Sequence, residues 1–228
     1  MSVLDIVFPK KCALCMDEPG SEDGFLCAKC EKELPVMKCI CAIEELPVYN
    51  DKSLSVYCAL RYTGTVKKGI VTMKYGERPQ VCEFLGYKLY EVLASNDKFG
   101  YKFSDFDYVV PVPAAKDKIK MRGYNQAKLI ADSFGKEAGI PVLDNVILKN
   151  SNVESQSLLD LAARQKSVAG TYELGEASIV ERIKGKNLLL ADDILTTGAT
   201  VIECAKILYK AGAELVVAIT ASTGKKDI

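Results

Sequence analysis

The sequence contains no histidine, and this absence excludes several classes of enzyme. A Ser-His-Asp triad, a Cys-His pair and a His-ligated metal all depend on an imidazole ring. Any proton transfer must therefore use Asp, Glu, Lys or Tyr. The chain also lacks net charge, because 30 basic residues balance 30 acidic ones, so a nucleic-acid surface would have to be local.

Long hydrophobic runs are missing as well. No stretch reaches the ~18 apolar residues that a membrane-spanning helix requires. The first residues include Asp5 and contain no apolar segment long enough for a signal peptide, so we expect neither secretion nor stable membrane insertion. Nine cysteines, an odd number, then favour a reducing compartment in which thiols are free or bound to metal.

Residues 187–201 are the most informative stretch of the chain. Leu188 to Ala191 form an unbroken apolar run, which is typical of a strand buried on both faces of a parallel sheet. Asp192 and Asp193 follow this run directly. A turn of small and hydroxyl-bearing residues then leads into a helical pattern, which we expect to run from Val201 to Ala211.

The residues of this turn predict a binding site for a phosphate monoester. A helix N-terminus offers unpaired N–H groups and a positive dipole end, Gly198 lets the backbone approach a ligand, and threonine hydroxyls add donors. The neighbouring carboxylates can accept hydrogen bonds from sugar hydroxyls and support a Mg²⁺ ion. The predicted ribose 5-phosphate site consists of Asp192, Asp193, Thr196, Thr197, Gly198, Ala199 and Thr200. The alternative is an ordinary strand–helix turn with a threonine cap and a solvated acidic pair.

Cysteines near the start of the chain are spaced as in a zinc ribbon. Two Cys-x-x-Cys pairs, separated by eleven residues, fit a tetrahedral Cys₄ zinc site formed by Cys12, Cys15, Cys27 and Cys30. A redox pair or unligated thiols are the alternative. We expect residues 1–47 to form this module, with zinc supplying much of its folding free energy. Cys39, Cys41 and Cys58 look like the remnant of a second ribbon or like alternative ligands.

Apolar strands and amphipathic helices alternate along residues 48–228. This alternation predicts an α/β domain with a parallel sheet, whose ligand site lies at the carboxyl ends of the strands. Pro113 and Asp192 then both lie at strand ends and face one crevice. Residues 150–172 are polar and hard to assign, and we interpret them as a loop over that site. The expected strands are 54–62, 107–113, 141–149, 186–191 and 214–220, and the expected helices are 64–75, 77–94, 123–138 and 201–211.

A cluster of basic residues follows the predicted strand 107–113. Residues 114–124 contain four positive charges against Asp117 alone, and we interpret them as a basic loop that binds an anion. A single-stranded DNA backbone is one such anion, and Tyr124 is available to stack on a base. A solvated basic loop, or a loop reserved for pyrophosphate, is the alternative. The predicted DNA-binding residues are Lys116, Lys118, Lys120, Arg122 and Tyr124, with Lys67, Lys68 and Lys74 extending the groove.

Four pieces of the sequence, in this order, resemble one known family. The stretch from Leu188 through Asp-Asp to Thr-Thr-Gly-Ala-Thr200 resembles the phosphoribosyl pyrophosphate (PRPP) motif of type I phosphoribosyltransferases. The segment Pro111-Val-Pro…Arg122-Gly-Tyr-Asn-Gln-Ala127 resembles the Pro-Val-Pro…Arg-Gly-Phe-Asn-Gln-Ala signature of the competence protein F family. The resemblance covers most of the chain, including the cysteine pairs, the Lys74-Tyr75 helix end and Gln156…Leu158…Arg164…Val168.

This resemblance implies a type I phosphoribosyltransferase-like domain in residues 48–228, preceded by a small N-terminal Cys₄ zinc-ribbon module. It also implies a cytoplasmic protein of bacterial natural transformation, which binds single-stranded DNA, structural Zn²⁺ and a PRPP-like ligand with Mg²⁺. Helicase-like and DNA-processing competence proteins are the implied partners. The loop after Pro113 resembles the pyrophosphate loop in position, which implies that Ala114, Ala115 and Lys116 hold pyrophosphate.

The sequence also departs from the family pattern, and three functions stay open. The third knuckle is reduced to Cys39-x-Cys41 without a clear fourth, and Ser167 stands where the family usually has Asn. The first function is a DNA-uptake factor that binds single-stranded DNA. The second is an active phosphoribosyltransferase, for which no base-binding or ammonia-supplying element is recognisable. The third is an interaction adaptor whose PRPP site is a sensor or a relic.

Overall fold

The computed structural model describes residues 11–20, 24–38, 40–75, 78–150 and 170–224. Among these residues, no helix is both long and apolar enough to cross a bilayer. Short 3₁₀ turns occupy Asp97–Phe99, Phe103–Asp105 and Glu181–Ile183. The helices and strands, in chain order, are α1 (Ala28–Lys32), β1 (Cys41–Tyr49), β2 (Lys52–Arg61), α2 (Gly64–Lys74), α3 (Gln80–Ala94), β3 (Tyr108–Pro111), α4 (Lys116–Arg122), α5 (Gln126–Ala138), β4 (Ile147–Lys149), β5 (Tyr172–Leu174), α6 (Ala177–Val180), β6 (Asn187–Leu195), α7 (Ala199–Lys210) and β7 (Leu215–Thr223).

A five-stranded sheet forms the centre of the fold, in the order β1-β2-β7-β6-β3. The pairs β2–β7, β7–β6 and β6–β3 are parallel, whereas β1 runs antiparallel to β2. The predicted α/β fold with a parallel sheet is therefore confirmed, with one antiparallel strand added at the edge. The short strands β4 and β5 form a separate antiparallel pair.

The end of β3 creates a gap beside β6. The side chains from Leu188 to Ala191 are fully buried, as expected for a strand that is covered on both faces. The last residue of β3, Pro111, pairs with Ala191. Beyond that point β6 continues to Leu195 and pairs only with β7. Residues 192–195 therefore border an opening where β3 is no longer present.

Several element boundaries differ from the sequence-based expectation. The strand that we expected to end at Ala191 runs to Leu195, because its last residues still pair with β7. The following helix begins at Ala199 instead of Val201. The expected strand 141–149 is reduced to β4, while Val142 makes only an isolated bridge to Val109. Most of the predicted loop 150–172 lies outside the described residues.

The predicted basic loop 114–124 contains a helix. α4 begins directly after Ala115 and ends at Gly123, whose φ of 82° is a left-handed conformation that glycine adopts without strain. Asn125 then caps α5, because its side-chain oxygen accepts a hydrogen bond from Ala127 N. The Asn125 side chain also donates to Val112 O at 3.0 Å, which ties the start of α5 to the end of β3.

The cysteine-rich segment packs on helices α2 and α3. Leu14 approaches Gly69 of α2 so closely that an added Cβ would lie 2.7 Å from Leu14 Cδ2. The Arg78 guanidinium donates to Cys12 O at 2.8 Å and to Ala13 O at 2.7 Å. Phe25 packs on α3, with its ring centroid 5.3 Å from that of Tyr87. Buried residues of the segment therefore belong to the same hydrophobic core as the sheet.

The expected boundary between two modules at residue 47 stays a prediction. β1 (Cys41–Tyr49) spans this position and pairs with β2 through residues on both sides of it. Before β1, Met37 N donates to Ala59 O, and Arg61 N donates to Pro35 O. The segment that leaves the ribbon is thus bonded to β2 by its backbone.

Candidate functional site

A polar cleft of about 360 Å³ lies at the carboxyl ends of β3 and β6. Ligands in open α/β sheets bind at this edge, because the strands end there and the loops and helix N-termini converge. Part of the predicted ribose 5-phosphate site lies here together with residues of the predicted basic loop. The cleft is lined by Lys74, Val112, Pro113, Ala114, Ala115, Lys118, Arg122, Asn125, Gln126, Ala127, Lys149, Tyr172, Asp192, Asp193, Ile194, Thr196 and Thr200.

The acidic pair lies where β6 passes the end of β3. Asp192 Oδ1 accepts a hydrogen bond from Asp193 N at 2.8 Å. Asp193 Oδ2 lies 3.0 Å from Lys74 Nζ, and the Asp193 side chain is 15% exposed. Burial, reinforced by the charge of Asp193, raises the pKa of Asp192 to about 7. The pair is therefore poised to change its charge near neutral pH, and Lys74 already neutralises one carboxylate.

The residues predicted to bind phosphate lie in the turn from β6 into α7. Gly198 has a φ of 89°, and an added Cβ would lie 3.2 Å from Ile43 Cδ1, so both conformation and space favour glycine. Thr197 Oγ1 accepts a hydrogen bond from Ala199 N at 3.3 Å. The first helical hydrogen bond runs from Ile202 N to Gly198 O, so the earlier N–H groups have no acceptor within the helix. Thr196 and Thr200 line the cleft beside them.

The helix α4 divides its four basic residues between two faces. Lys118 and Arg122 are four positions apart, lie on one face and line the cleft. Lys116 and Lys120 are also four apart and lie on another face, exposed to solvent and outside the cleft lining. Of the predicted pyrophosphate residues, Ala114 and Ala115 therefore line the cleft and Lys116 does not.

Two buried donors in the cleft have no hydrogen-bond partner among the described residues: Arg122 Nε and Gln126 Nε2. The Gln126 side chain lies at the start of α5, held there by the Asn125 cap, and the residue is only 4% exposed. A buried donor without a partner costs ~1–3 kcal/mol, so such groups generally mark a missing ligand or water. Both donors line a cleft that also holds Lys118, and the set suits an anion.

Tyr124, which we predicted to stack on a base, is attached to the end of α2. Its hydroxyl donates a hydrogen bond to Met73 O at 2.9 Å, and its ring packs against the hydrophobic core. Burial raises the pKa of this tyrosine to about 12. The ring is half-buried and its hydroxyl is held by Met73, so little of it is available to stack on a base. A contribution of Tyr124 to DNA binding stays a prediction.

Several cleft residues were missed by the sequence or were predicted for another role. Lys74, which we predicted to extend the DNA groove, pairs with Asp193 from a helix more than a hundred residues earlier, and no local pattern indicates that contact. Tyr172 and Lys149 come from the small β4–β5 sheet, with Lys149 Nζ 5.8 Å from the centre of the Tyr172 ring. Strand pairing across a long intervening segment leaves no signal in a short window of sequence. Gln126 was visible only as part of the Asn-Gln-Ala motif.

Four thiols at the N-terminal end form a candidate metal centre. The sulfurs of Cys12, Cys15, Cys27 and Cys30 all lie within 4.8 Å of one another, and Cys15 Sγ is 3.5 Å from Cys27 Sγ. A tetrahedral site with Zn–S bonds of ~2.3 Å places its sulfurs about 3.8 Å apart. The four residues therefore fit a structural Zn²⁺ ion, as the spacing predicted.

The surroundings of these thiols also suit a metal. Burial raises the pKa of Cys15 to about 11. Burial acts in the same direction on Cys12, but hydrogen bonds from the backbone N–H groups of Cys15, Cys27 and Leu14 outweigh it and lower the pKa to about 7. Backbone donors thus stabilise one thiolate, and a divalent cation would supply the charge that ionises the others.

The cysteines of the predicted second ribbon do not form a comparable cluster. Cys41 Sγ donates to Ile43 O at 3.3 Å, while Cys58 is buried in the sheet with its sulfur 2.8 Å from Thr220 Oγ1. Cys39 lies outside the described residues. Within the described ranges, the four-thiol centre is the one cluster of three or more metal-binding side chains. Metal binding by Cys39, Cys41 and Cys58 therefore stays untested.

Sequence profiles match both the cysteine-rich segment and most of the domain that contains the cleft. The sequence profile of the family described as a double zinc ribbon domain matches residues 3–59. The profile of the phosphoribosyl transferase domain matches residues 119–227, which include the acidic pair, the threonine turn and most of α4. Both halves of the predicted architecture are thereby confirmed.

Curated relatives identify the group more closely. Competence protein F of Haemophilus influenzae is 29% identical over 106 residues, which are 46% of this chain and 45% of that protein. DNA utilization protein YhgH of Escherichia coli is 21% identical over 224 residues, covering 92% of this chain and 96% of YhgH. Competence protein ComFC of Bacillus subtilis is 30% identical over 115 residues, covering 50% of this chain and 43% of ComFC. The chain is a homologue of the competence protein F, ComFC and YhgH proteins, as the sequence motifs indicated.

Solved structures of phosphoribosyltransferase-type proteins are also similar. The glutamine PRPP amidotransferase of B. subtilis is 19% identical over 68% of this chain and 27% of its own, with a TM-score of 0.39. A purine phosphoribosyltransferase of Pyrococcus horikoshii is 12% identical over 64% of this chain and 91% of its own, with a TM-score of 0.34.

Proposed function

We propose that this protein is a DNA-uptake factor that binds a PRPP-like sugar phosphate in its cleft and single-stranded DNA on its surface. The observation that carries the proposal is the composition of the cleft. One wall offers an acidic pair and a threonine-rich helix N-terminus, and the other offers buried donors without partners among the described residues, Arg122 Nε and Gln126 Nε2. Relatives named for competence and DNA utilization support the DNA half of the proposal.

The sugar phosphate would lie between the two walls. Its 5-phosphate takes the N–H groups and hydroxyls of the turn from Thr196 to Thr200, where the helix dipole favours an anion. The ribose hydroxyls donate to Asp192 and Asp193, which also support the Mg²⁺ ion that accompanies a pyrophosphate. In this proposal a pyrophosphate group meets Lys118, Arg122 and Gln126, together with the backbone of Ala114 and Ala115. Lys118 replaces Lys116 because, of these two lysines of α4, Lys118 lines the cleft and Lys116 does not.

In this proposal the DNA contacts the basic residues of α4 that lie outside the cleft. Lys116 and Lys120 are exposed on the outer face of α4, where they can contact phosphates without entering the sugar-phosphate site. Such contacts release counterions, so affinity should fall steeply as salt is added. Helicase-like and DNA-processing competence proteins, in the cytoplasm, are the partners that this role requires.

An active phosphoribosyltransferase is the second candidate, and one observation favours it. Tyr172 and Lys149 line the cleft from the β4–β5 sheet and supply a planar aromatic surface that the sequence did not reveal. In such a reaction the acceptor nitrogen forms a bond to C1 of the ribose, and pyrophosphate leaves with the electron pair of the broken C–O bond. The chemistry requires electrostatic stabilisation of the leaving group and no histidine.

The proposal is tested by binding measurements on the zinc-loaded protein with two ligands. PRPP with Mg²⁺ and a single-stranded oligonucleotide are titrated separately and in competition, with wild type and with the double variant Asp192→Ala, Asp193→Ala. Asp132→Ala serves as a charge control, because Asp132 lies on α5 outside the cleft lining and pairs with Lys128. Release of pyrophosphate in the presence of base or amine acceptors tests the second candidate.

The outcomes separate the two halves of the proposal. We expect PRPP binding that the double variant loses and Asp132→Ala keeps, and DNA binding that survives the double variant. PRPP binding that is unaffected by the double variant would contradict the assigned site. If the protein binds DNA but not PRPP, the PRPP motif is a relic in this chain. If it binds neither ligand, an interaction adaptor is the function that remains.

A further inference from the structure

Two large apolar side chains project into solvent beside the cleft. Tyr75 is 69% exposed and Met121 is 64% exposed, the highest values among the large hydrophobic side chains that the structure describes. Each is the chain neighbour of a residue that lines the cleft: Tyr75 follows Lys74, and Met121 precedes Arg122. Single exposed apolar side chains are common on protein surfaces, so the position of these two beside a polar cleft is the observation that matters.

The two side chains lie on helices that meet at the cleft. Tyr75 terminates α2, and its N–H bonds back to Thr72 O at 3.2 Å, which fixes the backbone at the helix end. Met121 lies in the last turn of α4. The hydroxyl of Tyr124, just beyond α4, donates to Met73 O and so connects the two helix ends. Tyr75 and Met121 are thus each next in sequence to a residue that lines the cleft, and we call them the rim pair.

The charge around the rim pair differs from that of the rest of the chain. The sequences of α2 and α4 contain seven basic residues against one acidic residue, Asp117. Over the complete chain, 30 basic and 30 acidic residues cancel. A positive surface with an exposed aromatic ring is complementary to a single-stranded nucleic acid, whose backbone is anionic and whose bases have flat apolar faces. An anionic membrane surface or an acidic peptide would also match the positive charge, but neither has flat bases that would stack on the exposed Tyr75 ring.

We propose that the rim pair is the platform on which a base of single-stranded nucleic acid stacks, with Lys116 and Lys120 holding the adjoining phosphates. Tyr75 supplies the stacking face and Met121 packs beside it. This inference rests on the proposed DNA binding and adds to it the residue that contacts the bases. It assigns to Tyr75 the stacking that the sequence suggested for Tyr124, because Tyr124 is half-buried and bonded to Met73.

A tryptophan introduced at position 75 tests this contact directly. The natural chain contains no tryptophan, so Tyr75→Trp places a single tryptophan on the platform, and excitation at long wavelength separates its fluorescence from that of the tyrosines. Glu181→Trp is the matched control, because the Glu181 side chain is 68% exposed and lies before the start of β6, at the edge of the sheet opposite the cleft. Each protein, loaded with zinc, is titrated with oligothymidylate of about 15 nucleotides, a length that suits one binding groove. Affinities for the wild type, Tyr75→Phe, Tyr75→Ala and Met121→Ala are measured separately by anisotropy of a labelled oligonucleotide.

The expected results follow from stacking. Fluorescence of Tyr75→Trp is quenched on DNA binding, and that of Glu181→Trp is unchanged. Tyr75→Ala weakens binding about tenfold, within the range of one stacked base, while Tyr75→Phe stays within about twofold of wild type. Because Tyr75 is exposed, these variants should fold as the wild type does, and PRPP binding checks this independently.

Two results would overturn the inference. One of them would leave the proposed DNA binding intact, and the other would refute it as well. If wild type binds the oligonucleotide while the fluorescence of Tyr75→Trp and the affinity of Tyr75→Ala do not change, the rim pair is not the platform and the proposed DNA binding stands. If wild type does not bind the oligonucleotide, both the platform and the DNA half of the proposed function fail. Quenching of the Tyr75→Trp variant by an acidic peptide, with none by the oligonucleotide, would also reject a nucleic-acid platform.

Discussion

Asp192 shows most clearly how the surroundings of one residue change its chemistry. As an isolated side chain it would be ionised at any physiological pH. On β6 it lies beside a second carboxylate at the base of the cleft, and burial with that neighbour raises its pKa to about 7. The sequence predicted that both carboxylates bind a ligand, and this stays a prediction. The raised pKa of Asp192 could not be predicted, because it depends on burial in the folded chain. The pairing of Asp193 with Lys74, a residue distant in sequence, could not be predicted either.

Binding of the sugar phosphate should strengthen as pH rises from 6 to 8. The ribose hydroxyls need an ionised acceptor, and the unliganded protein must release the Asp192 proton below pH 7 before it can bind. We expect affinity to rise about tenfold over this interval, following the ionised fraction of a group with a pKa of about 7. Calorimetric titration with ribose 5-phosphate at each pH measures this. Asp192→Asn should retain only the shallower dependence due to the phosphate itself, and an equally steep slope in that variant would exclude Asp192 as the cause.

Gln126→Met should make the protein more stable and lower the affinity of its cleft for PRPP. The Gln126 amide is buried, and its Nε2 lacks a partner within the described part of the chain. A thioether of similar shape removes this desolvation cost, so we expect the free energy of unfolding to rise by ~1 kcal/mol while PRPP affinity falls. Urea denaturation and calorimetry measure the two effects. Gln80→Met, at an exposed position, should change neither, and a loss of stability in Gln126→Met would contradict the assignment.

At the scale of elements, local patterns predicted the strand and helix around the acidic pair, and long-range pairing decided their ends. The run from Leu188 to Ala191 was sufficient to predict β6. Its extension to Leu195 depends on hydrogen bonds to β7, which no window of the sequence contains. The basic stretch was predicted to be a loop because it is rich in charge and follows the proline-marked end of a strand. Its lysines nevertheless alternate between two faces of α4, a consequence of helical spacing that separates the cleft from the outer surface.

Gly198 determines the conformation of the turn between β6 and α7. Its φ of 89° is unfavourable for residues with a Cβ, and an added methyl would meet Ile43 Cδ1 at 3.2 Å. Gly198→Ala should lower the free energy of unfolding by about 1–2 kcal/mol and weaken phosphate binding. Chemical denaturation and a titration with ribose 5-phosphate measure these effects. Gly224→Ala is the control, because nothing lies within 4 Å of its added Cβ. Equal effects in the two variants would mean that the turn does not require glycine.

At the scale of the whole molecule, the zinc ribbon and the sheet share one core. The cysteine spacing predicted that these four thiols come together, and they do. The sequence did not show that Arg78 binds the carbonyls of the first knuckle or that Leu14 packs on Gly69. These contacts join residues more than fifty positions apart, so only the folded chain reveals them. The ribbon is consequently part of the structure that supports the cleft.

Metal analysis should find one zinc per chain, and removing it should destabilise the whole protein. The four-thiol centre supplies one site, and Cys41 and Cys58 are bonded elsewhere. Cys27→Ser should lose the zinc, and Cys41→Ser should keep it. Because the ribbon belongs to the common core, a strong chelator should lower the midpoint of a single unfolding transition. Two zinc ions per chain, or loss of zinc in Cys41→Ser, would show that a second ribbon is functional.

We propose above all that the cleft at the ends of β3 and β6 recognises a sugar phosphate through its hydroxyls. Calorimetric titration with ribose 5-phosphate and with 2-deoxyribose 5-phosphate at pH 8 tests it most directly, because the two ligands share the phosphate and differ by one hydroxyl. We expect the ribose compound to bind about tenfold more tightly, the effect of one hydrogen bond to a charged acceptor. The double variant Asp192→Asn, Asp193→Asn should bind both equally. Equal affinities in the wild type, or a preference that survives the double variant, would contradict the claim.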